Sequence, residues 1–159
     1  MMTFLPFEDF NKCAEVLDKK RCWKQVVEAS QIIDCLEGKK VGWKNHPAVK
    51  MWVGYENLLK HYYNIFLEHC VSVHNINTKF QYREGLYSYG FYGNLMITEN
   101  ANNSKPFWLG QEPFHRAMRA RLIEKNPEFY GPKFLDKDKG YNDSKYWWPV
   151  MENKTFRII

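Results

Sequence analysis

Arg21-Cys22-Trp23-Lys24-Gln25-Val26-Val27-Glu28-Ala29-Ser30-Gln31 is the stretch whose reading decides the fold. At about 100° per residue, Cys22, Val26, Ala29, Ile33 and Leu36 fall on one side, which predicts a helix that presses that side against a core. The opposite side collects Arg21, Lys24, Glu28 and Gln31, so a carboxylate stands one turn from an ammonium on a polar ridge. The spacing alone also fits a solvated charge ladder. A second basic ridge near Arg116 and a dense supply of aromatic side chains are the context that points to a functional face.

Working outward, Phe10, Cys13, Val16 and Leu17 lie at helical spacing between Asp9 and Lys19, which predicts a short amphipathic helix before the ridge. Gly38 is placed to end the ridge helix as its left-handed C′ residue. Asn45-His46-Pro47 then opens a long periodic stretch, with proline at the first helical position where its missing N–H is harmless. Ala48, Trp52, Tyr55, Leu59, Tyr62, Phe66 and Cys70 form its apolar stripe, predicting one long central helix from Pro47 to about Val73. His61, His69 and His74 lie on or near it without the spacing of a metal site, and they read as surface or capping residues.

Helical period vanishes between Ile76 and Pro106. The run from Phe80 to Gly93 mixes aromatic residues with glycine and reads as an irregular insertion with one hairpin. Its aromatics with Arg83 have the composition of a base-stacking platform, and equally of a loop folded onto a core. Gly110-Gln111-Glu112-Pro113 is a further helix start, with Phe114, Met118, Leu122 and Ile123 as its buried side. His115, Arg116, Arg119 and Arg121 make the rest of that helix basic, a candidate phosphate-contacting ridge. Beyond Pro127 the tail reads as a draped, non-helical segment. The whole is expected to be an all-α, compact single-domain helical bundle spanning residues 1–159.

Lys and Arg outnumber Asp and Glu by 23 to 18 in 159 residues, a net charge of +5, which favours an anionic partner, nucleic acid first. Aromatic residues make up 17% of the chain and supply core volume as well as flat faces for bases. Cys13, Cys22, Cys35 and Cys70 contain no C-x-x-C pair, so neither zinc nor a disulfide framework is expected, and a reducing, cytoplasmic setting follows. No secretory signal and no membrane span are read from the sequence. Phosphate-binding glycine motifs and a nucleophile elbow are both missing, which leaves no support for a nucleotide cofactor or serine-hydrolase chemistry.

Four ordered pieces carry a resemblance: Thr3-Phe4-Leu5-Pro6, Leu17-Asp18 with Arg21 to Glu28, His46-Pro47-Ala48-Val49-Lys50-Met51-Trp52-Val53-Gly54-Tyr55-Glu56, and Phe114-His115-Arg116 through Tyr130-Gly131. Together they resemble the pyrimidine-dimer DNA glycosylase family, most closely its bacterial branch with L-x-K-Q-x-V-E and H-P-A-x-x-M-W-x-G-Y-E. The resemblance implies a monomeric base-excision enzyme acting on double-stranded DNA with a damaged or modified base, with strand cleavage at the abasic site as a further step. It implies no metal and no organic cofactor.

In that family an N-terminal threonine amine attacks the sugar and a helix-borne glutamate supports glycosyl cleavage, which maps onto Thr3 and Glu28. The resemblance further implies DNA contacts at Arg21, Gln25, His46, His115, Arg116, Arg119, Arg121 and Tyr130. Two positions depart from the pattern. Met2 precedes Thr3, and Val27 stands where the phage enzymes carry an arginine. The nucleophile therefore stays open between an α-amine, the Lys24 side-chain amine one turn from Glu28, and a water activated by Glu28. A non-catalytic or lyase-deficient nucleic-acid-binding relative is the alternative.

Overall fold

Apolar side chains at helical spacing make the described chain mostly helical. The computed structural model describes residues 1–84 and 105–159, together with the strand backbones at 87–89 and 95–97. Its elements in chain order are α1 (Phe10–Val16), α2 (Lys19–Leu36), α3 (Pro47–Lys50), α4 (Glu56–Ser72), β1 (Tyr87–Tyr89), β2 (Leu95–Ile97), α5 (Glu112–Lys125), α6 (Pro127–Tyr130), β3 (Trp147–Val150) and β4 (Thr155–Ile158). They fall into two compact units, one of Met1–Thr3 with Lys19–Pro106, the other of Phe4–Asp18 with Phe107–Ile159.

The first unit is organised around α2 packed on α4. Cys22, Val26, Ala29 and Ile33 of α2 are buried, as are Leu59, Tyr62, Phe66 and Cys70 of α4. Burying Val26, Ile33, Leu59 and Phe66 contributes about 1.5–3 kcal/mol each relative to exposure, so the α2–α4 seam adds substantially to stability. At the seam the Cys22 and Cys70 sulfurs approach to 3.2 Å as free thiols. Gln25 is also buried, and its Oε1 accepts the Tyr62 hydroxyl hydrogen at 3.0 Å.

The end of α2 is set by Gly38, whose φ of 79° lies in the left-handed region. The Lys39 N–H reaches back to the Asp34 carbonyl at 2.8 Å and the Gly38 N–H to the Cys35 carbonyl at 3.1 Å, the paired bonds that close a helix on a glycine.

The long central helix expected from Pro47 to Val73 is two helices. His46 caps α3, its Nδ1 accepting the Ala48 N–H at 3.0 Å, but α3 stops at Lys50. Gly54, at φ 84°, cannot continue a right-handed helix, and Glu56 Oε1 accepts its N–H at 3.1 Å as α4 begins. The periodic stripe concealed this break because Trp52 is buried even though it sits in the turn between the helices.

Residues 79–84 are strapped to the helices. The Tyr63 hydroxyl donates to the Gln81 carbonyl at 2.8 Å, and Asn64 exchanges two hydrogen bonds with the Arg83 backbone at 2.7 and 2.8 Å. The expected hairpin is present as β1 antiparallel to β2, with Tyr87 opposite Ile97. The remainder of the proposed aromatic platform, including Phe91 and Tyr92, lies outside the described residues.

In the second unit, Asp9 caps α1 by accepting the Asn11 and Lys12 N–H groups. Helix α5 starts with Pro113 in its first turn and buries Phe114, Ala117, Met118, Leu122 and Ile123. The tail differs from expectation: after three short 3₁₀ turns, β3 and β4 pair as an antiparallel hairpin with Trp147 opposite Ile158. Aromatic and β-branched residues, Trp147, Trp148 and Val150 on one side of a four-residue turn and Thr155, Phe156 and Ile158 on the other, supply the reason.

Candidate active site

On the polar ridge of α2 the Glu28 side chain is only 12% exposed. Its Oε2 accepts the backbone N–H of Met2 at 3.0 Å, bringing the start of the chain onto the helix from 26 positions away. Thr3 follows as a buried residue whose Oγ1 accepts the indole N–H of Trp52 at 3.1 Å. The nitrogen at hydrogen-bond distance from the carboxylate is thus that of residue 2, while the Thr3 side chain serves as an anchor. Sequence spacing had not singled out Trp52 for this task. Its place beside the H-P-A motif was the available signal.

His46 belongs to the same neighbourhood. Burial pushes its pKa below the ordinary histidine range, and the terminal ammonium acts in the same direction while the Glu28 carboxylate opposes both. One short stretch of backbone therefore lies near an imidazole and a carboxylate, the two side-chain types best suited to moving protons near neutral pH.

Lys24 stands 3.8 Å from Glu28 Oε1, but its side chain is 65% exposed. Its ammonium is a solvated neighbour of the carboxylate. Arg21 is part-exposed on the same helix, and Gln25 points inward to Tyr62. Gln25, expected at a DNA surface, is therefore an interior hydrogen-bonding residue.

Helix α5 is not a uniformly basic surface ridge. His115 is buried with Nδ1 2.7 Å from the Leu5 carbonyl and Nε2 accepting the Gly110 N–H at 2.9 Å, which defines the neutral Nδ1–H tautomer, and burial pushes its pKa down. Arg119, with a side chain only 7% exposed, donates to Asp138 at 2.9 Å, to the Pro6 carbonyl at 2.8 Å and to Glu112. A guanidinium so enclosed is a cross-link and not a phosphate contact.

Arg116 lies over the Tyr141 ring at 4.1 Å with its Nε 3.3 Å from Asp138, and Arg121 lies over Tyr146 at 4.2 Å while donating to the Ser144 carbonyl at 3.1 Å. Both stay part-exposed. Tyr130 is fully buried, its hydroxyl donating to Asp18 at 2.8 Å. Apart from Gly110, Glu112 and Glu124, the partners of these groups lie 19 or more positions away in the chain, so helical spacing on α5 carried no sign of them.

Among the described residues there is no cluster of His, Cys, Asp and Glu fit to hold a metal ion, and no helix long and apolar enough to cross a membrane.

The chain is thus mostly helical, and a helix-borne glutamate holds the backbone at its start. Comparison with known protein families matches residues 1–83 to the pyrimidine dimer DNA glycosylase family, and the chain belongs to that family. No curated protein and no solved structure matches it. The matched segment contains Met2, Thr3, Lys24, Glu28, His46 and Trp52, and it ends before α5.

Proposed function

We propose that the protein releases a damaged or modified base, such as a pyrimidine dimer, from double-stranded DNA, with Glu28 as the proton-transferring carboxylate and an N-terminal α-amine as the nucleophile. One observation above the others supports this reading: the residue 2 nitrogen lies 3.0 Å from Glu28 Oε2, within the reach that direct proton transfer requires. Removal of residue 1 would convert that nitrogen from a peptide N–H into an α-amine.

In the proposed reaction the amine lone pair attacks C1′ of a flipped-out nucleotide, the C1′–base bond breaks, and the base departs with a proton from solvent. Glu28 takes the proton released by the amine. Glu28 returns that proton to O4′ as the C1′–O4′ bond opens to an iminium, and the carboxylate so regenerated removes the C2′ proton, whose loss expels the 3′ phosphate and cleaves the strand by β-elimination. Strand cleavage belongs to this proposal as its second step.

A reading without lyase chemistry is favoured by a separate observation. Met2 and Thr3 are both buried, and with residue 1 in place the nitrogen at Glu28 is a peptide nitrogen, which is not nucleophilic. Glu28 then activates water, and the base leaves without a covalent adduct.

Borohydride trapping on a duplex carrying a pyrimidine dimer or an abasic site tests the proposal. Base release with a trapped adduct supports the amine mechanism, and base release without an adduct supports the water mechanism. Neither release nor adduct from any damaged duplex overturns both.

A further inference from the structure

The segment between Gly38 and His46 carries apolar surface where a soluble fold has no use for it. Every residue from Glu37 to Asn45 is exposed. Val41 is 72% exposed, the highest value for a large apolar side chain among the described residues, and Trp43 is 50% exposed. All six tryptophans are described, and Trp43 alone among them is exposed, the other five being buried or part-buried. An indole left in water forgoes one of the largest burial gains a side chain can make, so its position calls for a partner.

Both ends of this segment are held. Lys39 N–H bonds the Asp34 carbonyl at 2.8 Å, and His46 N–H bonds the Trp43 carbonyl at 2.9 Å while His46 itself caps α3. The Trp43 ring meets the His46 ring edge to face at 5.6 Å. The apolar tip thus borders the histidine whose protonation responds to Glu28 and to the terminal ammonium. Three lysines, Lys39, Lys40 and Lys44, stand in the same exposed run. An apolar tip flanked by ammonium groups fits a partner that is anionic outside and stacked inside, which is the chemistry of duplex DNA.

We infer that the loop from Gly38 to His46 is a wedge: Trp43 enters the base stack beside the target nucleotide, Val41 follows it, and Lys40 and Lys44 hold the flanking phosphates. The inference rests on the proposed action on DNA and assigns the device that opens the duplex at that site. Inserted aromatic or apolar side chains unstack a base step and bend the helix, lowering the barrier to swinging the target nucleotide outward.

The test uses the full chain and a duplex with an abasic site or pyrimidine dimer next to 2-aminopurine, whose fluorescence rises on unstacking. At saturating protein the wild type is expected to raise the signal. Trp43→Ala removes most of that rise and weakens binding by about tenfold or more, as loss of one aromatic–base stack does, while Trp43→Phe retains most of it. The Lys40→Ala, Lys44→Ala double variant keeps the rise at saturation and lowers the log–log salt slope by roughly 1.8. A half-exposed residue should leave the thermal midpoint of the alanine variant near that of the wild type, and the phenylalanine variant controls for a change in folding.

Unchanged fluorescence and base release in Trp43→Ala overturn the wedge while leaving the proposed function standing. If the wild type releases no base and forms no adduct, the proposed function fails, and a Trp43-dependent fluorescence rise in that case still supports the wedge as a DNA-binding device.

Discussion

Glu28 Oε2 accepts the Met2 N–H at 3.0 Å, so the carboxylate at the centre of the ridge helix is also the group that docks the start of the chain. One side chain thereby holds the start of the chain and, in the proposed reaction, also transfers protons. Glu28→Gln keeps an oxygen acceptor and the shape of the residue but loses the negative charge and the basicity. Base release is expected to fall by at least about a hundredfold, with binding to damaged duplex changed by less than about threefold. A stopped assay for glycosyl-bond cleavage, read as alkali-labile strand breaks, beside a titration of DNA binding reads both, and a parallel loss of the two would reduce Glu28 to a structural clamp.

The register of the N-terminus is the next point. Because the residue 2 nitrogen is the one at Glu28, a borohydride adduct should map to Met2 in protein that has lost Met1. Thr3→Val, which deletes the hydroxyl bound to Trp52, should lower stability by about 1–2 kcal/mol while the adduct still forms. Intact-mass measurement followed by peptide mapping decides the matter, and an adduct on Lys24 or on a chain beginning at Thr3 would contradict this register.

For Arg119 the expected defect is in folding. Asp138 is fully buried beneath it, so Arg119→Met takes away its buried partner, leaves the part-exposed Arg116 as the cation facing that carboxylate, and should destabilise the protein by roughly 3 kcal/mol, the low end for a broken buried pair. The salt slope of DNA binding should stay unchanged in that variant, measured at a temperature where it remains folded. Arg21→Ala, at a part-exposed ridge position, should lower the slope by about 0.9 if it meets a phosphate.

Acid should weaken the fold through its buried histidines. Burial pushes the His61 pKa down to about 4, and His115 shifts in the same direction. The unfolded chain binds protons at these sites near pH 6.5, well before the folded chain does. Stability from the neutral rings is therefore fully present above about pH 6.5 and falls as the pH drops towards 4, by roughly 2–3 kcal/mol from His61 alone. Denaturant midpoints taken through that window should show the decline, and His61→Gln should flatten it.

Local spacing by itself determined the helical character of the chain, the buried face of α2 and the place of Gly38 at its end. Those features arise from contacts within a few residues and from a period of 3.6, so the order of side chains suffices to read them. The motifs from Lys24 to Glu28 and from His46 to Trp52 also carried the resemblance to the family that residues 1–83 match.

Tertiary structure alone decided which nitrogen meets Glu28, that Gln25, His115, Arg119 and Tyr130 face inward, and that the indole of Trp52 holds Thr3. Each of these depends on pairs of groups 19 to 113 positions apart, such as Arg119 with Asp138 and with Pro6. A cation on a helix looks the same in sequence whether it faces water or a distant carboxylate. Only the closing of the chain supplies the partner, because removing a charge from water is tolerable only where an opposite charge is already in place.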